Sequence, residues 1–270
     1  MKKLIAGPWV GEFGWELFAW QGYIRALSRK FEHTTIISRP DSAPIYSDFC
    51  DVFYEHTPVG GIVDSFFMHG VDFGKDLKTV ATENQIKFDS ETTLLIPRRI
   101  GMPPFTHFSQ PVIFGNHTIK PEYKIYGSEQ PESYDYIFHI RNRQSVRPED
   151  NWSSDNWQKL RDKKIACIGI KSESGWIEGT EDKRDIELQT LFNLLYNAKC
   201  VFGPSSGPIH LASLCATPHV VWSIPNNKIR YEENWNPHNV KTCFFSDHDW
   251  HPTASFVHEK YLNFKEQTQL

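Results

Sequence analysis

The 270-residue chain carries 29 Lys and Arg against 33 Asp and Glu, a net charge of −4, with 39% hydrophobic and 14% aromatic residues. That length builds one large domain or two ordinary ones with a full core, and the mild acidity excludes a basic nucleic-acid module on bulk charge. No apolar run nears the roughly 18 residues that span a bilayer. Met1-Lys2-Lys3 opens no signal-peptide pattern, and five cysteines without CxxC spacing suit buried thiols in a reducing cytoplasm.

Leu4-Ile5-Ala6 is expected as a first strand, followed by a glycine-punctuated loop from Gly7 to Gly14. Phe13 to Lys30 then has helical spacing, with Leu17, Trp20, Ile24 and Leu27 on one face and basic residues at its end. Thr34 to Ser38 is a second strand, 44–50 a short helix and Val52-Phe53-Tyr54 a third strand. This β-loop-α-β start is that of a doubly wound sheet. From about 57 to 125 the pattern weakens to irregular structure, with one strand at Thr93 to Ile96 and one small basic patch at Arg98-Arg99. The polar stretch Gly127 to Glu132 marks a domain boundary.

The second half alternates strands and helices: Tyr136 to Arg141, Ser154 to Lys163, Lys164 to Ile170, Glu187 to Asn197, Lys199 to Phe202, a helix opening after Gly207, and His219 to Trp222. Right-handed crossovers make its sheet parallel. A last strand runs from Thr242 to Phe245, and Phe256 to Phe264 is a final helix whose return to the first half is left open.

The most informative stretch is Val201-Phe202-Gly203-Pro204-Ser205-Ser206-Gly207-Pro208-Ile209-His210. It is a buried strand, a tight turn and the first turn of a helix. Small residues admit a ligand close to backbone, and a helix N-terminus presents free N–H groups and a positive dipole end to phosphate. Ser205 and Ser206 add hydroxyl donors; the alternative is a capped helix without a ligand. His139 and Arg141 alternate onto one face at a strand's C-terminal end, where α/β ligands bind, and Arg141 can fork onto phosphate oxygens. Arg143, Ser145 and Arg147 follow in the loop, and Lys171 ends the next strand within reach of the same anion or stands as a surface lysine.

The segment from Asp185 to Trp222 resembles the donor-binding region of the lipopolysaccharide heptosyltransferases, glycosyltransferase family 9, and His139-Ile140-Arg141 is similar to the H-x-R of GT-B fucosyltransferases. The resemblance implies an α/β fold of two Rossmann-like domains, GT-B, compact with a cleft between them. The expected division is 1–127 for the acceptor, 128–255 for a nucleotide-sugar, and 256–270 as a tail helix. It implies that Ser205, Ser206, Gly207 and His210 hold a donor diphosphate, with His139, Arg141 and Lys171 beside them. Such a seat stabilises the departing diphosphate without a metal or other cofactor.

In that family a Gly-Asp pair in the first loop supplies the base. Here Gly11-Glu12 stands in its place, with Glu16 as a second candidate and Trp15 as an acceptor platform. Either carboxylate has the alternative role of favouring a helix N-terminus. Gln189 or Glu187 is placed near a ribose, and Glu233 and Trp235 in Arg230 to Pro237 near a donor sugar or base. Asp247-His248-Asp249 formally matches the metal-binding D-x-D of another glycosyltransferase class and is the one motif pointing to a divalent cation. The expected partners are a nucleotide-sugar donor and a glycan acceptor, with hydroxymethylated DNA bases or a non-catalytic nucleotide-binding module as alternatives.

Overall fold

The computed structural model describes residues 1–9, 11–57, 73–97, 120–144, 147–161 and 163–269. Arg98-Arg99 and Ser145 therefore lie outside the described residues. The chain divides into two units, Met1–Tyr123 and Lys124–Leu270.

In the first unit, β1 (Lys3–Ala6) pairs in parallel with β2 (His33–Ser38) and β4 (Thr92–Leu95), and β2 with β3 (Val52–Glu55), giving the order β3-β2-β1-β4. Between β1 and β2 runs one helical stretch in three parts: α1 (Phe13–Trp15), a π-helical segment Glu16–Trp20 and α2 (Gln21–Ser28). Its apolar face buries Leu17, Trp20 and Ile24 completely, as the spacing predicts, while Leu27 is half-buried. A short α3 (Ala43–Tyr46) follows β2. An eleven-residue α4 (Phe73–Glu83) occupies the region expected to be irregular, and its Leu77 and Val80 pack with Ile5 and Ile37 of the sheet.

The loop after β1 is pinned on both sides, Gly7 donating to the Leu95 carbonyl and Trp9 to that of Ile37. Gly7 has φ +129°, and a Cβ there would sit 2.1 Å from the Ile37 oxygen, so only glycine lets the chain leave β1 this close to β2. A buried Arg25 locks the unit's periphery. Its guanidinium donates to Asp48 at 2.9 and 3.1 Å, to the Ile45 carbonyl at 3.1 Å, to the Glu122 carbonyl at 3.0 Å and to Gln21, and it lies 4.9 Å from the Phe49 ring centre. One side chain thus joins α2, α3 and the segment that ends the unit.

The second unit has six parallel strands in the order β10-β9-β8-β5-β6-β7. In chain order these are β5 (Tyr134–His139), α5 (Ser154–Lys159), β6 (Ile165–Gly169), β7 (Glu181–Arg184), α6 (Leu188–Tyr196), β8 (Ala198–Pro204), α7 (Gly207–Leu214), β9 (His219–Trp222), β10 (Thr242–Phe245) and α8 (Ala254–Thr268). Ser153 caps α5 by accepting the Asn156 N–H, and Thr253 caps α8 by accepting that of Phe256. β7 was not expected from the sequence: Glu181-Asp182-Lys183-Arg184 carries no apolar residue, and it sits at the sheet edge, where charge blunts further pairing.

The core is aromatic. Trp152, Trp157 and Trp222 form a triangle with ring centres 4.8 to 5.5 Å apart, and Tyr136, Phe138, Phe202 and Tyr261 make a second set. The tail helix α8 buries Ala254, Val257, Tyr261 and Phe264 in this same core, so its apolar face is used within the second unit. All five cysteines are free thiols.

Replacing Arg25 with Ala strips a buried cation from five acceptor atoms and removes the ion pair that Asp48 makes with it. Urea denaturation is expected to show a loss of about 3 kcal/mol, against less than about 0.5 kcal/mol for exposed Lys30.

Candidate functional site

In each sheet the strand order reverses beside the first strand of its unit: between β1 and β4, and between β5 and β8. Ligands of open α/β sheets settle at the carboxyl ends of strands at such reversals. The β5–β8 reversal carries the serine turn, and the loop after β1 carries Glu12.

At the β5–β8 reversal, the parallel register sets Phe138 beside Phe202, so His139 emerges next to the Gly203–Gly207 turn. Ser206 is the N-cap residue of α7, yet its hydroxyl does not cap the helix; it meets His139 Nδ1 at 2.9 Å. Of the opening positions of α7, Pro208 has no N–H and Ser206 donates its own to Tyr231, which leaves the Gly207 and Ile209 amides without an intrahelical acceptor. Ser205 and Ser206 are both half-exposed. Tyr231, 1% exposed, reaches the turn from the π-helical segment Arg230–Asn234: its hydroxyl accepts the Ser206 N–H at 3.1 Å and donates to Ser205 Oγ at 3.0 Å.

Both nitrogens of His139 are engaged, Nε2 meeting Ser174 Oγ at 3.3 Å. Burial, with the Arg143 and Arg141 charges adding, lowers its pKa from 6.5 to about 3, so the ring is neutral. Arg141 lies past the end of β5, where it bridges to Ser174; it is buried, donates to the Arg147 carbonyl at 3.0 Å, and faces Asp150 at 3.9 Å and the Trp250 ring at 5.8 Å. Exposed Lys171 pairs with Asp185 at 3.7 Å. A cavity of about 370 Å³ opens between Arg141, Lys171, Ser174, Trp176 and Arg184.

The remaining expected residues fall differently. His210 is buried, stacked on Tyr231 at 4.0 Å and edge-on to Trp235 at 4.6 Å, and burial with nearby Arg230 holds its pKa well below the usual range. Trp235 is itself 2% exposed, so it is part of the wall behind the turn rather than an open sugar platform. Glu233 and Gln189 are exposed. Asp247 and Asp249 occupy an exposed turn, and among the described residues no cluster of three His, Cys, Asp or Glu is arranged to hold a metal ion.

In the first unit, Glu12 is the N-cap residue of α1 and half-buried; its carbonyl accepts the Glu16 N–H at 3.1 Å, and its carboxylate makes no capping bond. Gly11 and Trp15 are buried beside it in the chain. Glu16 is fully buried. Its carboxylate accepts from Ser38, from Tyr46 at 2.9 Å, from Arg39 at 2.9 Å and from Ser42 at 3.2 Å. A carboxylate closed off from solvent and satisfied four times over anchors β2 and α3; it is not placed as a base. Tyr231 and Ser174 went unnoticed in the sequence: Tyr231 stands inside the segment singled out for its mixed polar and aromatic groups, while Ser174 has no sequence signal at all.

No family model and no curated protein matches the sequence. Solved structures match in fold. The chain is 12% identical to a glycosyl transferase of family 9 from Veillonella parvula DSM 2008, with TM-score 0.63 over 99% of this chain and 98% of that one. It is 12% identical to the E. coli ADP-heptose lps heptosyltransferase II, with TM-score 0.61 over 100% of both. It is 11% identical to the E. coli heptosyltransferase WaaC with ADP, with TM-score 0.58 over 98% of this chain and 100% of that one. At such identities the likeness is one of fold: α/β, with two Rossmann-like halves of the GT-B type.

Unfolded, His139 and His219 bind a proton near pH 6.5; folded, burial delays this to about 3 and about 4. Below pH 6.5 the unfolded chain binds more protons, so stability is present above that pH and falls as pH drops toward 4. Melting temperature measured from pH 7 to 4 is expected to decline steadily, and less steeply in His219→Gln.

Proposed function

We propose that the chain is a glycosyltransferase that moves a sugar from a nucleotide-diphospho-sugar to an acceptor hydroxyl, with inversion and without a metal. The observation that carries this is the seat at the β5–β8 reversal: two half-exposed serines and the Gly207 and Ile209 amides at the start of α7, with Arg141 and Lys171 at the neighbouring strand ends. Charge grows on the departing diphosphate as the glycosidic bond breaks, and preset donors at a helix N-terminus stabilise it there. The donor belongs to the second unit, where the cavity beside Arg141 has room for part of the nucleoside.

The first unit serves the acceptor. Glu12, whose carboxylate is not spent on capping, takes the proton from the acceptor hydroxyl as that oxygen attacks the anomeric carbon; the diphosphate leaves from the opposite side. Likeness in fold to heptosyltransferases favours a surface-glycan or lipopolysaccharide sugar as acceptor. The free cysteines suit action in the cytoplasm, and no helix among the described residues is long and apolar enough to cross a membrane.

A thermal-shift panel of ADP, GDP, UDP and CDP, with Mg²⁺ or EDTA, tests the donor site. One diphosphate at 100 times its Kd should add about 2.7 kcal/mol of stability, unchanged by EDTA. A shift that needs Mg²⁺ would refute the metal-free mechanism, and no shift from any of the four would refute the donor site. Glu12→Gln should keep that shift and lose turnover by about 100-fold or more; retained turnover would remove Glu12 from the mechanism.

A further inference from the structure

Two serines that bond to their own protein could meet an anion either with their protons or with their lone pairs, and only the former binds it. The protons beneath them decide which. Tyr231 is 1% exposed, and the lone pairs of its hydroxyl already receive the Ser206 N–H. Its own O–H proton has one acceptor among the described residues, Ser205 Oγ at 3.0 Å. Turning that bond around would bury a phenolic proton with no acceptor, which costs about 1–3 kcal/mol.

The same logic runs through His139. A neutral imidazole donates from one nitrogen and accepts at the other. If Nε2 held the proton, it would donate to Ser174 Oγ, and the Ser174 O–H, in a residue 2% exposed, would have no side-chain acceptor among the described residues. If Nδ1 holds it, Ser174 donates to Nε2 and Nδ1 donates to Ser206 Oγ at 2.9 Å, and every buried proton has an acceptor. Gly169 keeps this arrangement close: at φ +122°, a Cβ there would stand 2.1 Å from Ser174 Oγ and 3.1 Å from the His139 ring.

We infer that Tyr231 and the Ser174–His139 pair are positioning residues that fill the acceptor side of Ser205 and Ser206, so that both serine protons are turned outward to a phosphate-type anion before it arrives. Tyr231 and His139 do not themselves touch the anion. The consequence for ligand binding rests on the proposed donor site; the proton placement does not. Such a seat pays no reorganisation when charge develops, and it disfavours a ligand that presents donors instead, because two outward protons would then oppose each other.

Nitrogen-15 NMR of the full chain, with His139 assigned through its bonds to Phe138 and Ile140, reads the proton placement directly. The expected result is a protonated Nδ1 and a bare Nε2 in the ligand-free protein; a proton on Nε2 overturns the inference, whether or not any nucleotide binds. Affinity for inorganic pyrophosphate tests the consequence. Tyr231→Phe should weaken it about threefold to tenfold, the worth of one hydrogen bond, and should weaken it clearly less in a Ser205→Ala background, where only the contact with the Ser206 N–H remains to be lost. An equal loss in both backgrounds would make Tyr231 scaffold only and overturn its role. Absence of pyrophosphate and nucleotide binding by the unaltered chain would refute the donor site, while the spectrum alone would still decide the tautomer.

Discussion

The parallel pairing of β5 with β8 is the constraint on which the candidate site depends. Consecutive strands of a doubly wound sheet march outward from the first, and the chain must return to the first strand's other side to continue. Here the return is β8, and its register against β5 places the end of one strand against the turn that ends the other. His139 and Ser206 are 67 residues apart in sequence and 2.9 Å apart at their polar atoms for that reason alone. Nothing local brings them together, so the site exists only in the folded unit.

The first unit solves the problem of buried charge twice in the same way. Arg25 and Glu16 are each taken out of water, which costs several kcal/mol per ion unless partners replace the hydration. Each is surrounded: Arg25 by carboxylate, amide and carbonyl oxygens, Glu16 by three hydroxyls and a guanidinium. Because those partners come from different elements, the charge works as a fastener between them. The loop that carries Glu12 is consequently tethered on both flanks, by the Gly7 and Trp9 backbone bonds before it and by Glu16 after it.

Legibility in the sequence followed the kind of force at work. Strands such as Thr34 to Ser38 and helices such as α6 bury apolar side chains at a regular period, and periodicity survives in sequence. The serine turn was legible because small residues between a strand and a helix have few other uses. α4 was not foreseen, since its apolar residues Leu77, Val80 and Ala81 are spaced among Gly, Lys, Asp and Thr and few in number. The all-charged β7 gave no pattern, and the π-helical segment that turns Glu16 inward differs from an α-helix only in backbone winding. Glu12 and Glu16 look equivalent four residues apart; burial separates them, and burial is a property of the fold. Ser174 and Tyr231 act through one or two hydrogen bonds each, for which a sequence has no signature.

A neutral histidine is an unexpected choice beside the proposed seat for phosphate, where a cation would attract more strongly. The charge is supplied elsewhere: Arg141 and Arg143 stand near the ring, and their field, added to burial, is itself part of what keeps His139 neutral. A third positive charge in the same few ångströms would raise the desolvation cost and, on the proposed reaction, hold a product diphosphate tightly and slow its release. A neutral ring avoids both penalties and still transmits direction, because its two nitrogens couple the buried hydroxyl of Ser174 to the half-exposed one of Ser206. On the proposed donor role, the arginine of His139-Ile140-Arg141 supplies attraction and the histidine supplies orientation. The motif divides two tasks that one charged residue would confuse.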